Sequence, residues 1–140
     1  MSKVYKISAV TLLIRDMERS CKFYSKIPGF KLIYGGSETS FTTYEIGENT
    51  FDYINLELSK LNNGDKYWNS KNLFKIILHT DDVDKLYLYF KNDNIISSLI
   101  SFENKSTNAT WRERYFHIRD PDGYLLSFAH PMNQERNYSD

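Results

Sequence analysis

The first half of the chain alternates apolar, strand-like runs with one amphipathic helix. Residues 5–14 form a β-branched apolar run that suits a mostly buried strand. Asp16 then has the position of a helix N-cap, and apolar residues recur along one face of the following segment until Pro28 and Gly29 end it. Glycine-containing turns separate three further predicted strands, at residues 30–34, 40–46 and 51–58.

The second half repeats this order. A strand is predicted at residues 74–79, and Asp82 has the position of the second N-cap. An i, i+3, i+4, i+7 apolar stripe predicts an amphipathic helix, formed by Val83, Leu86, Tyr87 and Phe90. Strands follow at residues 95–102, 114–119 and 124–130, and the sequence Asp120-Pro121-Asp122-Gly123 predicts a tight turn between the last two.

These two passages predict one domain, residues 1–140, of the α+β class. It consists of two βαβββ modules, at residues 5–58 and 74–131. Residues 59–73 are polar and rich in asparagine, as a linker should be, and residues 132–140 are expected to be a frayed tail.

Side chains alternate between the two faces of a strand, so each predicted sheet has a face for its helix and a second face. The helix-facing residues are predicted to be Leu12, Ile14, Ile54, Leu56, Leu58, Ile76, Leu78, Phe116, Ile118, Leu126 and Phe128. The second face then carries Thr11, Tyr53, Asn55, Glu57, Lys75, His79, Tyr115, His117 and Ser127. This mixture of aromatic, small and polar groups favours a ligand-binding cup. The alternative is a sheet face that is simply exposed to water.

Composition and charge narrow the function classes. The 140 residues include 18 Lys and Arg, 18 Asp and Glu and one cysteine, and the pI is about 6.8. A neutral chain argues against nucleic-acid binding and against a polybasic membrane protein, because both depend on a positive field. No apolar run approaches the ~20 residues of a membrane span, and the N-terminus does not read as a signal peptide. We therefore expect a cytoplasmic protein with no nucleic-acid or membrane partner.

Two segments resemble the vicinal oxygen chelate superfamily, which contains glyoxalase I, bleomycin-resistance proteins and extradiol dioxygenases. Residues 9–20 (AVTLLIRDMERS), followed by Phe23-Tyr24 and Gly29-Phe30, are similar to its opening, and residues 115–128 (YFHIRDPDGYLLSF) are similar to its closing hairpin. The resemblance covers about residues 5–131. It implies the glyoxalase/bleomycin resistance protein fold, in which two βαβββ modules form a cup-shaped incomplete barrel, and a homodimer as the expected assembly.

The resemblance also implies where a metal would bind. Metal-dependent members place ligands on the first and fourth strands of each module, and these positions fall here on Ala9, Glu57, Lys75 and Ser127. Only Glu57 is a plausible ligand, whereas a divalent ion normally takes three or more from the protein. We therefore expect no metal and no cofactor at this place. A relocated metal site, using the histidines, is the alternative.

Lys75 and Glu57 are expected to form an ion pair across the cup, because one unpaired charge in a dry site is costly. The pair either fills the vacated metal position or serves catalysis, with Lys75 holding a substrate anion and Glu57 acting as base. His117 is the candidate for proton transfer near neutral pH. Trp111 could close the cup as an aromatic lid.

Three functions remain open at this point. The favoured one is metal-free binding of a small aromatic or anionic molecule, as in the bleomycin-resistance members. The alternative is a metal-independent isomerase or lyase of glyoxalase type that uses Glu57, Lys75 and His117. The third is a glyoxalase-like or dioxygenase-like metalloenzyme with a relocated site. The remaining predicted ligand-binding residues are Thr11, Tyr53, Asn55, His79, Trp111, Tyr115 and Ser127.

Overall fold

The computed structural model describes residues 1–60 and 74–132 of the chain. The chain divides into two compact units, Met1–Asp65 and Lys66–Asp140. Each unit contains one sheet with helix packed on it, so the predicted α+β class is confirmed. Most of the predicted linker, at residues 59–73, and nearly all of the predicted tail, at residues 132–140, lie outside the described residues.

The first unit is one βαβββ module. Its elements are β1 (Ala9–Ile14), α1 (Met17–Tyr24), β2 (Phe30–Tyr34), β3 (Phe41–Ile46) and β4 (Tyr53–Leu58). The strand order is β1-β4-β3-β2, with β1 parallel to β4 and the other neighbours antiparallel. The first strand is shorter than predicted, because residues 5–8 are exposed and belong to no strand.

The core of the first unit forms between α1 and the sheet. Asp16 is the N-cap of α1, and its carboxylate accepts a hydrogen bond from the backbone N–H of Arg19 at 3.0 Å. The buried residues are those that the alternation predicts, including Leu12, Ile14, Ile54 and Leu56, together with Phe23 and Tyr24 of the helix. The prediction of Leu58 as a core residue is wrong: it ends β4 and is 39% exposed.

The second unit contains β5 (Lys75–His79), α2 (Val83–Asn92), α3 (Asn94–Leu99), β6 (Ser101–Phe102), β7 (Thr107–Asn108), β8 (Glu113–Arg119) and β9 (Leu125–Pro131). The strand order is β5-β9-β8-β6, and β7 also pairs with β8. Strand β9 lies parallel to β5 and antiparallel to β8. The order of the first unit therefore recurs, with an added short helix.

Aromatic packing holds α2 on the second sheet. The fully buried Phe90 ring meets Phe116 edge-on at 5.8 Å between centroids and Phe128 at 5.3 Å. Ile118 and Leu126 complete this side of the sheet, and both are buried. The alternate residues of β5, β8 and β9 therefore point away from α2.

The strand predicted at residues 95–102 is wrong for most of its length. Residues Asn94–Leu99 form α3, and only Ser101–Phe102 are extended. The carboxylate of Asp93 accepts a hydrogen bond from the backbone N–H of Ile96 at 2.9 Å, which caps the helix. Ile96 is fully buried, so tertiary packing outweighs the strand preference of its branched side chain.

The helices of the described segments are all too short or too polar to cross a bilayer.

Candidate functional site

The second sheet presents a face that α2 does not cover, and most of the predicted site residues of this unit lie on it. Strand register arranges this face in rows across β5, β9 and β8. We call it the open face of the second sheet. Its rows are Lys75–Leu125–Arg119, Ile77–Ser127–His117 and His79–Ala129–Tyr115, and Glu113 lies one row further along β8, opposite Pro131. Ser127 and Ala129 are buried, because both are small and lie in the central strand between larger neighbours.

Three side-chain rings lie in a line along β8 on this open face. The Trp111 and Tyr115 rings stack with centroids 6.1 Å apart at an interplanar angle of 22°, and the Tyr115 and His117 rings lie 4.6 Å apart. Tyr115 and His117 are half-buried, whereas Trp111 is 62% exposed at the end of the series. We call these three residues the ring ladder. Such flat faces suit stacking of a planar ligand.

Glu113 joins two predicted ligand-binding residues, although no sequence argument singled it out. Its Oε2 lies 2.9 Å from His79 Nε2, and its Oε1 accepts a hydrogen bond from Trp111 Nε1 at 3.0 Å. The hydrogen bond between Glu113 and His79, and to a smaller degree the one from Trp111, lower the pKa of the Glu113 carboxyl. Its position two residues before Tyr115 on the same strand was the signal that could have revealed it.

His117 is a second group on the open face whose pKa is shifted. Burial lowers its pKa, and the nearby Lys75 and Arg119 cations lower it further, while Glu103 opposes them. Its Nδ1 is buried and has no hydrogen-bond partner in the described parts of the chain. The imidazole therefore stays neutral at neutral pH and keeps one polar atom unused.

Lys75 is an exposed cation beside this site. It occupies the row next to that of His117, opposite Leu125. In the same row, Arg119 Nε lies 2.6 Å from a Glu103 carboxylate oxygen. One end of the open face is thus positively charged, and the other end carries the ring ladder.

The open face of the first sheet is smaller and more polar. Thr43 Oγ1 donates to Asn55 Oδ1 at 2.7 Å, and Asn55 Nδ2 donates to Thr11 Oγ1 at 3.1 Å. These three residues form one row across β1, β4 and β3. Tyr53 lies in the next row between Ala9 and Glu45, and is half-buried. The predicted residues of this unit therefore share one face.

Strand register changes the assignment of the fourth-strand position in the first unit. In the second unit, Ser127 pairs with the residue two places after Lys75. In the first unit, the residue two places after Ala9 is Thr11, and it pairs with Asn55. Glu57 lies two residues further along β4. Glu57 therefore corresponds to Ala129, not to Ser127 as the sequence argument assumed.

The four positions so assigned carry Ala9, Asn55, Lys75 and Ser127. This set offers no imidazole, thiolate or carboxylate, and it includes a cation, so it does not fit a divalent metal ion. Over residues 1–60 and 74–132, no three His, Cys, Asp or Glu side chains group together as metal ligands would. The predicted relocated site thus gains no candidate ligand set within these ranges.

The predicted ion pair joins residues of different units. Glu57 is exposed near the end of β4, and Lys75 is exposed at the start of β5. Their pairing, and the catalytic roles assigned to them, stay predictions, as does the cup.

Comparison with known proteins yields one family. The family model of the Glyoxalase/Bleomycin resistance protein/Dioxygenase superfamily matches residues 6–128. "Uncharacterized protein YraH" of Bacillus subtilis (strain 168) is 25% identical over 126 residues, which cover 86% of this chain and 94% of that protein.

Solved structures agree in fold. A "glyoxalase-related enzyme" from Fulvimarina pelagi has a TM-score of 0.66 at 14% identity and covers 90% of this chain and 88% of its own. A superfamily member from Sphaerobacter thermophilus DSM 20745 has a TM-score of 0.63 at 20% identity, with coverages of 90% and 97%. At these identities the likeness shows the fold alone.

Proposed function

Since the chain belongs to the Glyoxalase/Bleomycin resistance protein/Dioxygenase superfamily, we propose that it binds a small planar organic anion without a metal ion and sequesters it. The observation that carries the proposal is the ring ladder of Trp111, Tyr115 and His117, with Lys75 beside it. Fold alone does not select this function within the superfamily, so these side chains carry the proposal.

The ring ladder would contribute apolar contact to a flat ligand. Stacked or edge-to-face aromatic pairs stabilise a complex by about 0.5–1.5 kcal/mol beyond the area they bury. Trp111 is largely exposed, so a ligand ring that covers it would also remove apolar surface from water. An aromatic molecule therefore gains more here than an aliphatic one of equal size.

Charge selects an anion over a cation. Lys75 and Arg119 already disfavour a positive charge on His117, and they would equally disfavour a cationic ligand beside it. An exposed ion pair contributes only about 0.2–1 kcal/mol, so Lys75 should tune the affinity without dominating it.

The donor chemistry of the four family positions supports the proposed metal independence. A Lewis acid would need anionic or imidazole ligands, and Ala9, Asn55, Lys75 and Ser127 supply none. We propose that Lys75 takes the place of the ion by attracting the anionic group of the ligand directly.

Native mass spectrometry of the freshly purified protein is the first test. A co-purified organic mass without a metal increment supports the proposal, and the same spectrum tests the predicted homodimer. A stoichiometric divalent metal, or ligand binding that a chelator abolishes, would contradict it and favour a metalloenzyme.

Calorimetric titration with aromatic carboxylates and their uncharged primary amides is the second test. We expect the carboxylates to bind about two- to fivefold more tightly than the amides, as one exposed charge pair allows. Lys75→Met should remove this preference. The matched control is Lys85→Met, because Lys85 is an exposed lysine on α2, on the covered side of the sheet.

His117 supports a second candidate function, a metal-independent isomerase or lyase. Its lowered pKa leaves a neutral imidazole that can accept a proton at neutral pH. This function requires substrate turnover with a pH-dependent rate, and His117→Gln should abolish the limb of the pH–rate profile that the imidazole contributes. Saturable binding without turnover would decide for the binding protein.

A further inference from the structure

One carboxylate connects the end of the ring ladder to the edge of the open face. Glu113 Oε1 accepts a hydrogen bond from Trp111 Nε1 at 3.0 Å, and Glu113 Oε2 lies 2.9 Å from His79 Nε2. An ionised carboxylate can only accept hydrogen bonds, and an indole N–H can only donate. The side-chain contacts with His79 and Trp111 lower the pKa of the Glu113 carboxyl, so it is ionised at neutral pH.

This chemistry fixes which nitrogen of His79 carries the proton. Because Glu113 can only accept, His79 Nε2 must be the donor, and the lone pair of the neutral ring lies on Nδ1. The His79 side chain is 59% exposed, and its Nδ1 makes no hydrogen bond to the described residues. We infer that Glu113 is a positioning residue that holds His79 as the Nε2–H tautomer and so makes Nδ1 a hydrogen-bond acceptor for a ligand.

The ligand class follows from the neighbours of His79. His79 and Tyr115 occupy the same row of the open face, and Glu113 also holds the Trp111 ring that stacks on Tyr115. A planar ligand stacked on the ring ladder would therefore place its edge near the acceptor atom, His79 Nδ1. This step rests on the proposed function, and it adds that the preferred ligand carries a hydroxyl or N–H donor on its aromatic ring.

The tautomer can be measured without any ligand. Long-range proton–nitrogen NMR spectra, recorded where titration shows the imidazole to be neutral, distinguish protonated from unprotonated ring nitrogens. We expect Nε2–H in the wild type and Nδ1–H in Glu113→Gln. In this variant the new side chain is an amide, whose oxygen accepts the hydrogen bond from Trp111, because an indole N–H can only donate. The amide NH2 then faces His79 and donates to its Nε2.

Trp111→Phe is the matched control, because the Glu113 carboxylate is retained in it and still accepts a hydrogen bond from His79. It should keep the Nε2–H tautomer. An Nδ1–H tautomer in the wild type, an unchanged tautomer in Glu113→Gln, or a changed one in Trp111→Phe would each overturn the assignment to Glu113.

Binding of 4-hydroxybenzoate and 4-methoxybenzoate tests the ligand class. The two probes share a ring and a carboxylate but differ in one donor, which is worth about three- to tenfold in affinity. We expect the hydroxy probe to bind more tightly to the wild type, and Glu113→Gln to lose that preference. Equal binding to the wild type would overturn the donor requirement. If neither probe binds, the proposed function fails for such anions, and the NMR result still decides the role of Glu113.

Discussion

Replacing Asp120 should destabilise the second unit, because its carboxylate organises the turn between β8 and β9. Asp120 Oδ1 accepts hydrogen bonds from the backbone N–H groups of Asp122 and Tyr124, both at 2.9 Å. Asp120 itself is 4% exposed. The backbone N–H of Gly123 also donates to the Asp120 carbonyl oxygen at 2.9 Å, so Asp120→Ala removes the side-chain acceptor but keeps the backbone turn.

The magnitude follows from the two N–H groups that lose their acceptor. Each buried, unsatisfied N–H costs about 1–3 kcal/mol. Because Tyr124 is only half-buried and water can reach it, we expect Asp120→Ala to lower the free energy of unfolding by about 2–4 kcal/mol. Asp120→Asn keeps an amide oxygen at this place. At these two N–H groups it loses the added strength of charge-assisted hydrogen bonds, about 1 kcal/mol.

Urea unfolding of the wild type and both variants, followed by circular dichroism, measures these free energies. Native-state hydrogen exchange should show faster exchange of the Asp122 and Tyr124 amides in Asp120→Ala, with a smaller change at Gly123, whose acceptor is the backbone. This expectation is wrong if the stability of Asp120→Ala lies within about 0.5 kcal/mol of the wild type, the range of an ordinary surface substitution. Equal losses in the Ala and Asn variants would refute it as well.

Four further predictions concern the core and the two open faces. Lys75→Met should raise the pKa of His117 in an NMR titration, because it removes one of the cations that disfavour the imidazolium. That pKa is lowered in the folded protein, so as the pH falls the unfolded chain binds the proton at a higher pH than the folded chain does. His117 therefore lowers the free energy of unfolding as the pH falls below about 6.5. His117→Gln should remove this pH dependence from the urea midpoints. Phe90→Ala should cost about 3–5 kcal/mol in urea unfolding, against less than about 1 kcal/mol for Leu88→Ala, which changes a 56% exposed residue of the same helix. Asn55→Ala should cost about 1–2 kcal/mol by the same assay, because it breaks hydrogen bonds to two threonine hydroxyls.

An unchanged pH dependence of the urea midpoints in His117→Gln would contradict the role given to its imidazole, and the other three predictions also have contradicting outcomes. Lys85→Met is the control for Lys75→Met, and an equal shift of the His117 pKa in both variants would mean that Lys75 has no particular influence. Similar losses in Phe90→Ala and Leu88→Ala would deny the role of the aromatic core. An Asn55→Ala variant as stable as the wild type would mean that water replaces the hydrogen-bonded row.

Local signals carried the correct part of the fold prediction. Asp16 and Asp82 cap their helices as predicted, because an N-cap depends on a side chain and backbone N–H groups only two or three residues away. Alternation predicted Phe116 and Phe128 in the core, since the face of a strand residue is set by its parity. The strand predicted at residues 95–102 is wrong because the strand preference of two isoleucines competes with the Asp93 cap and with the burial of Ile96. The sequence alone does not show which of these effects is larger.

By itself, the sequence determined the α+β class, the repeated βαβββ order, the parity of each strand and, through the resemblance, the superfamily. Only the tertiary structure decided which residues stand side by side on neighbouring strands, because register depends on ladders between segments distant in sequence. That register placed Asn55, and not Glu57, at the position equivalent to Ser127. It likewise brought Glu113 to His79 across 34 residues, a contact that no local pattern encodes.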